Sequence, residues 1–288
     1  MGKTKRKIPG IVLALAMLVG LVSGLSLTAA AVSPQFELVG VSGDGTAYAD
    51  YIPGVTTGTV CGETVTFAGW YENTRYTGAP VGSNFASGPY YAKWTMNGTT
   101  VVTDTVTIKD GTVSPGGIAG AGLVWNSSTS TLTLRNAAIL VPAGDGVDAD
   151  GDLNIVLVGD STVIGGGSYG CGVSADRDLT VRCGITGGSL TTDGDIGLYA
   201  GGDVTICGGA DVTAAGAHER GIFSEGSIAV RGYGTEVTAT GGSDESGYWD
   251  GIYAYENVIV ADYAKVTAAG EWGGVVAYGD VAIRSGAD

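Results

Sequence analysis

GIYAYENVIV, residues 251–260, is one of six copies of a single pattern. The others read GVDADGDLNI from Gly146, GVSADRDLTV from Gly172, GLYAGGDVTI from Gly197, GIFSEGSIAV from Gly221 and GVVAYGDVAI from Gly274. Each opens on glycine, continues aliphatic, variable, Ala or Ser, takes a two-residue corner, and resumes with Asp, Ser or Asn ahead of aliphatic, variable, aliphatic. The glycine and the later Asp, Ser or Asn are six residues apart in every copy, whereas the copies lie 26, 25, 24, 30 and 23 residues apart. A module of fixed length with spacers of variable length is a rigid unit with loops inserted at set points, the mark of a solenoid.

Alternation identifies the kind of solenoid. In GIYAYENVIV, Ile252 and Ala254 share one face of a strand and Tyr253 points the other way; beyond the corner, Val258 and Val260 share a face in the same manner. A third short run follows most copies: GSLTT from Gly188, DVTAA from Asp211, EVTAT from Glu236 and KVTAA from Lys265. Three short strands per turn predict an all-β chain, a right-handed parallel β-helix in which each strand pairs with its equivalent one turn on. The runs are too short to hold crossover helices, which excludes a βαβ arrangement. A single turn cannot offset its own ordering entropy, so the turns stand only together. Leu132 and Leu134 in STLTLRNA are expected to hold the place that Leu153 and Ile155 hold one turn later, with Trp125 covering the open end of the core.

Residues 1–31 read as an export signal. Lys3, Lys5, Arg6 and Lys7 form the positive start, Ile8 to Leu27 the apolar run, and Ala29, Ala30 and Ala31 the small-residue cleavage site. The apolar run is nearly long enough for an uncleaved anchor, but Ala-Ala-Ala ahead of Val32-Ser33 favours cleavage, which leaves no membrane span. The mature chain is then extracellular or on the cell surface. Cleavage removes four of the 14 basic residues and none of the 29 acidic ones, for a formal net charge of −19. That charge argues against nucleic acid and anionic lipid as partners, and leaves calcium and neutral polymers open. The 52 glycines show no collagen period and sit at turns and corners.

Between the signal and the solenoid, residues 36–110 alternate Thr, Val and aromatic residues and predict a small β domain. Within it, residues 65–94 carry Phe-Ala-Gly-Trp-Tyr at 67–71, a Thr77-Gly78 turn, and Tyr-Ala-Lys-Trp at 91–94. This stretch resembles the Listeria–Bacteroides (internalin B-type) repeat of bacterial surface proteins. The resemblance implies a β-grasp-like accessory module at a cell surface, not catalysis. Residues 36–63 lack that repeat's usual first half.

The solenoid is expected over residues 121–288. Its VWNSSTSTLTL run, with the later GDVTI and VTAAG turns, resembles the carbohydrate-binding β-helix surface proteins of gut and cellulolytic Firmicutes. That resemblance implies a pectate-lyase-like fold, and some of those proteins bind calcium and plant polysaccharide. The sequence stops just after the second strand of a turn, with no third strand and no polar cap, so the β-helix is expected to be truncated at its C-terminal end.

Outward positions of stacked strands form ladders about 4.8 Å apart. The middle of the first strand gives Asp148, Ser174, Tyr199, Phe223, Tyr253 and Val276. Three successive aromatics form a ridge on which sugar rings can stack, or one that only stabilises the sheet. The longest loop, GGSDESGYWD at residues 241–250, stands beside Ala217-His218-Glu219-Arg220 and Glu271-Trp272. Stacking would bring Tyr248, Trp249, Trp272, Asp244, Glu245, Asp250 and Arg220 to one edge; a solvated insertion with its Trp packed on the strand below is the alternative.

The expected carbohydrate-binding residues are therefore Tyr199, Phe223, Tyr248, Trp249, Tyr253 and Trp272. Asp244, Glu245 and Asp250 are candidate calcium ligands, although neither an EF-hand nor a nonapeptide signature is present. The many other aspartates follow corners, where Asp caps turns.

Catalysis finds little support: His218 is the single histidine and no serine sits in a nucleophile elbow. Asp211, Glu236 and Lys265 stack on successive third strands, an acid pair or a neutralised surface row. Cys61, Cys171, Cys183 and Cys207 lack zinc spacing; Cys183 and Cys207 lie near equivalent places on adjacent turns, as a disulfide or as buried thiols. The functional expectation is non-catalytic polysaccharide binding. A polysaccharide lyase or hydrolase, and an adhesin or stalk that binds host or cell-surface protein, are the alternatives.

Overall fold

The computed structural model of the chain describes residues 57–73, 78–81, 91–114, 121–242, 247, 249–284 and 286–287. The export signal expected at residues 1–31 lies outside them. Among the described residues every regular element is a strand, and no helix is long and apolar enough to cross a membrane.

The chain enters through an antiparallel meander of β1 (Thr57–Val60), β2 (Glu63–Tyr71), β3 (Tyr91–Met96) and β4 (Thr99–Val102). Cys61-Gly62 and Asn97-Gly98 make two of its turns, and Asp110-Gly111 joins β5 (Val106–Lys109) to β6 (Thr112–Ser114). Both residues of each pair have positive φ, the requirement of a two-residue hairpin that follows the twist of its strands. The meander does not stay separate. β4 pairs in parallel with β9 (Ala138–Leu140), and β5 with β10 (Val147–Ala149). Two strands assigned by sequence to the small domain of residues 36–110 thus belong to the first rung of the solenoid. Buried Val106 and Ile108, with half-buried Val102, fill that rung's inward positions, while Val101 faces the meander's own cluster with Val60 and Val65; no repeat glycine precedes them to mark the rung.

From there the chain is a parallel β-solenoid of about six turns. Its first face stacks β5, β10, β12 (Val173–Ala175), β14 (Leu198–Ala200), β17 (Ile222–Ser224), β20 (Asp250–Ala254) and β23 (Gly273–Ala277). The second holds β8 (Thr131–Arg135), the start of β11 (Leu153–Ile164), the start of β13 (Leu179–Gly194), β15 (Val204–Cys207), β18 (Ile228–Arg231), β21 (Val258–Ala261) and β24 (Val281–Ile283). The third holds β9, the ends of β11 and β13, β16 (Asp211–Gly216), β19 (Glu236–Thr240) and β22 (Lys265–Ala269). β11 and β13 are long enough to turn the corner between two faces.

The recurring glycine has a steric cause. A Cβ on Gly146, Gly172 or Gly197 would stand 2.6 Å from the carbonyl oxygen of the next turn's glycine, and one on Gly221 2.7 Å. Backbone passes too close there for any side chain. The recurring Asp, Ser or Asn has a hydrogen-bonding cause. Asp178 Oδ1 accepts from the Asp203 amide at 2.9 Å, and Asp203 Oδ1 from the Ser227 amide at 2.7 Å. Ser227 Oγ accepts from the Asn257 amide at 3.4 Å, and Asn257 Oδ1 from the Asp280 amide at 2.9 Å. These four corners are each capped by the turn before.

The interior is one continuous apolar column that includes Leu153, Ile155, Leu179, Leu198, Val204, Ile206, Ile222, Ile228, Ile252 and Val258. Leu132 and Leu134 enter it opposite Ile155 and Leu157, not opposite Leu153 and Ile155 as the sequence suggested. A slip of two residues keeps both inward, because the side-chain period of a strand is two, so alternation alone cannot see it. β7 (Leu123–Asn126) pairs antiparallel with β8; its Trp125 packs on the core, and the indole Nε1 donates to the Gly111 carbonyl at 2.9 Å.

Ile252→Asp should unfold the adjoining turns by burying an unpaired charge, a loss of several kcal/mol. Thr238→Asn, on the exposed side of β19, should melt within a degree or two of the parent chain, as surface substitutions of about 0.5 kcal/mol or less do. Equal destabilisation of the two variants in thermal melts would overturn the inward and outward assignment.

Candidate functional site

The first face points two columns of side chains outward. One is Asp148, Ser174, Tyr199, Phe223, Tyr253 and Val276, each in register with the next. The other lies two residues further along each strand: Asp150, Asp176, Gly201, Glu225, Tyr255 and Tyr278. Backbone amides hold it in step, with Asp176 bonded to Ala149, Gly201 to Ala175, Glu225 to Ala200, Tyr255 to Ser224 and Tyr278 to Ala254. The aromatic residues gather in the later turns, where Val276 alone is aliphatic, and the carboxylates in the earlier turns, with Ser174 and Gly201 among them.

The aromatic half is one contact network. Ring centroids are 5.4 Å apart for Tyr199 and Phe223, 5.6 Å for Phe223 and Tyr253, and 5.8 Å for Phe223 and Tyr255. Tyr253 lies 5.5 Å from Tyr255 and 6.0 Å from Tyr278, edge to face. Tyr255 and Tyr278 stack at 5.5 Å with 10° between their planes. Tyr255 is 47% exposed and Tyr278 74%. Sequence reasoning missed both, because they occupy the first position of the corner. Alternation carried one residue past Ala254 and Ala277 would have found them, since i and i+2 share a face.

Arg220 lies against this network from the loop side. Its guanidinium carbon is 4.7 Å from the Phe223 ring centroid and 4.2 Å from that of Tyr253. The side chain is largely buried, 3.6 Å from Glu219 and 4.0 Å from Asp250. Cation and ring quadrupole attract, which fixes the inner rings of the ladder. Arg220 Nε and Asp250 Oδ1 are buried without a hydrogen-bond partner, so the two groups meet as charges. Burial pushes the Asp250 carboxyl up, and Arg220 pulls it back down. Tyr199 donates its hydroxyl to Glu225 Oε1 at 2.9 Å; burial first, then that bond and the Glu225 charge, push its phenol up to about 12. Tyr253 is also pushed up to about 12, by burial and then by its hydrogen bond with Tyr278.

The loop tryptophans separate. Trp272 is 68% exposed, but Trp249 is only 6% exposed. The expectation of Trp249 as an outer contact is corrected accordingly: its ring is buried, consistent with the large apolar area an indole removes from water. Tyr248, Asp244 and Glu245 lie outside the described residues. Asp250, the third candidate calcium ligand, sits buried beside Arg220, whose charge disfavours a cation there. Among the described residues no group of three or more His, Cys, Asp or Glu is placed to hold a metal ion.

Other chemistry-bearing groups fall elsewhere. His218 Nδ1 lies 2.7 Å from Asp195 Oδ1, and the second oxygen of Asp195 accepts the Tyr169 amide. The pair ties two neighbouring loops together. Burial, followed by the charges of Asp145, Glu219, Asp195 and Asp148, pushes the Cys171 thiol up to about 12, which keeps it protonated and a poor nucleophile. All four cysteines are free. Cys207 pairs with Arg182, so Cys183 faces the other way, inward, with Sγ at 3.0 and 3.1 Å from the Gly188 and Gly209 carbonyl oxygens. Asp211, Glu236 and Lys265 do stack in register, and Lys265 Nζ lies 3.8 Å from Glu236 Oε2, an exposed pair on the surface row.

Fold and site thus define a parallel β-solenoid with an exposed aromatic face. Comparison with family models, with curated proteins and with solved structures finds no match, so the reading of the face rests on its own geometry.

Trp249→Ala should lower stability by about 3–5 kcal/mol, as truncation of a buried aromatic does, and Trp272→Ala by far less; equal melts for the two would refute the burial of Trp249. The acidic half carries a pH signature. Asp148 is raised by burial first and then by Asp145, Asp176 and Asp150, against the opposing charge of Lys109. A carboxyl raised on folding costs stability above its folded value, and the cost vanishes below the unfolded one. Asp148→Asn should therefore raise the melting temperature at pH 7, with the gain fading as pH falls toward the ordinary carboxylate value of 3.8. A gain that persists unchanged at acid pH would assign the effect to another cause.

Proposed function

We propose that this is an exported protein that binds polysaccharide without cleaving it, through the aromatic half of its first face. The observation that carries the reading is the pair Tyr255 and Tyr278, which extend the Tyr199, Phe223 and Tyr253 ladder onto open surface. An aromatic ladder serving only the sheet has no need of rings half exposed or more. Successive planes along the ladder are inclined by 58° and 73°, so the surface is corrugated, with tyrosine hydroxyls among the ring edges. Sugars offer C–H faces to such rings and hydroxyls to such oxygens. The basic start and Ala-Ala-Ala site within residues 1–31 support export, and the acid-rich composition suits an extracellular surface. Exposed Trp272 is a further candidate contact, and buried Trp249, whose carbonyl accepts the Trp272 amide, a support for its loop.

Retention of the purified chain on soluble and insoluble polysaccharides, with and without EDTA, is the direct test. The double variant Tyr255→Ala, Tyr278→Ala should weaken retention about thirtyfold, from the loss of two stacking contacts of roughly 1 kcal/mol each, with little change in the melt. Undiminished retention by that variant would place the site elsewhere. Capture of a protein receptor with no glycan retained would favour the adhesin reading instead.

A further inference from the structure

The glycan reading leaves the charge of the ligand open, and the composition of the whole face speaks to it. We propose that the ligand is a cationic polysaccharide, an amino glycan whose sugar rings lie on the aromatic half while its ammonium groups reach the carboxylates of the same face. This rests on the proposed function above and names the class of glycan it takes.

The two outward columns change character along the axis. In the earlier turns they hold Asp148, Asp150 and Asp176, and Glu225 stands at the junction, one turn before Tyr255. One turn is about 4.8 Å, so Asp148 lies about 10 Å from the level of Tyr199 and about 19 Å from that of Tyr253, a span that one oligosaccharide can bridge. Cations on the face are few. Arg220 is held under Phe223 and Tyr253 and faces Glu219 and Asp250. Lys109 is the cation that opposes the charges of Asp145, Asp176 and Asp150 at Asp148. Some acceptor capacity is used within the protein: Asp150 Oδ2 takes the Asp110 amide at 3.1 Å, Asp145 Oδ1 the Cys171 amide at 2.6 Å, and Glu225 Oε1 the Tyr199 hydroxyl. Those bonds leave the negative charge itself unneutralised. Asp148 responds to its neighbours' charges in the direction that a bound cation would reverse.

An exposed aromatic surface bordered by carboxylates attracts a ligand that is apolar on its ring faces and positive at its substituents, by stacking, cation–π and Coulomb terms together. A polyuronate would meet like charge along the whole acidic half, and a neutral glycan would leave that half unused.

The experiment uses isothermal titration of the purified chain with a β-linked glucosamine hexamer, its fully N-acetylated counterpart, a galacturonate oligomer and a short poly-lysine. The titrations are run at a pH where the hexamer's amines are protonated. The glucosamine hexamer should bind about tenfold more tightly than the N-acetylated one, the sum of a few exposed charge contacts. The preference should shrink in about 1 M salt, where the screening length falls to about 3 Å. The galacturonate oligomer should bind more weakly than either hexamer. The triple variant Asp148→Asn, Asp176→Asn, Glu225→Gln should bring the two hexamers to equal affinity. N-acetylated hexamer bound as tightly as the amine form would overturn the cationic assignment and leave the glycan reading standing. Poly-lysine bound as tightly as the glucosamine hexamer would overturn it as well, since charge alone would then suffice. A chain that binds none of these oligomers and none of the polysaccharides of the retention panel would overturn both readings together.

Discussion

Everything in this protein depends on one turn receiving the next. The strands of the first face are three to five residues long and none carries enough contacts to stand by itself. Each is held by parallel pairing to its equivalents above and below, by a glycine that lets two backbones approach to where a Cβ could not fit, and by an Asp, Ser or Asn whose side chain caps the following corner. These three devices act between turns and not within them. A repeat protein of this kind is quasi-one-dimensional, and its stability is set by nearest-neighbour terms. That is why the glycine and the capping residue keep a fixed separation through every copy while the loops between copies vary by several residues.

The same constraint frees the outer surface. With inward positions given to the apolar column and corner positions to the caps, the outward columns carry no duty in closing the coil. They can change from turn to turn, and they do: Asp, Ser, Tyr, Phe, Tyr, Val in one column and Asp, Asp, Gly, Glu, Tyr, Tyr in the other. Register then converts sequence position into spatial order, since residues about 25 apart in the chain become neighbours on the face. An aromatic surface of five rings arises without any two of the ladder residues Tyr199, Phe223 and Tyr253 being close in sequence.

How much of this was legible beforehand follows from the same logic. The repeat spacing and the alternation were enough for the solenoid, its three strands per turn, and the Tyr199, Phe223 and Tyr253 ladder, because these depend on nearest-neighbour register. Features set by other forces were not legible. The first rung, built from β4 and β5, lacks the repeat glycine and pairs through a different entry geometry. The placement of Leu132 opposite Ile155 preserves inwardness, so a pattern of period two cannot distinguish it from its neighbour two residues away. Trp249 is in a loop, where no periodicity operates; its burial is a matter of available apolar surface.

Arg220 shows how the loops and the face are joined. It precedes a repeat glycine, in the column that also contains Asp145, Cys171, Ile196 and Asp250. Its guanidinium meets the Phe223 and Tyr253 rings, while Asp250, one turn later in the same column, stands 4.0 Å from its Nε. A buried charge pair of this sort contributes little net stability once desolvation is counted, but removal of one partner leaves the other uncompensated. Its consequence is geometric. Phe223 and Tyr253 are held against a fixed cation rather than left to rotate, while Tyr255 and Tyr278, one column further out, are held by ring contacts alone: with each other, with Tyr253 and, for Tyr255, with Phe223. The aromatic face is therefore anchored on its inner column and adaptable on its outer one, an arrangement that would suit the flexible polymer proposed as its ligand.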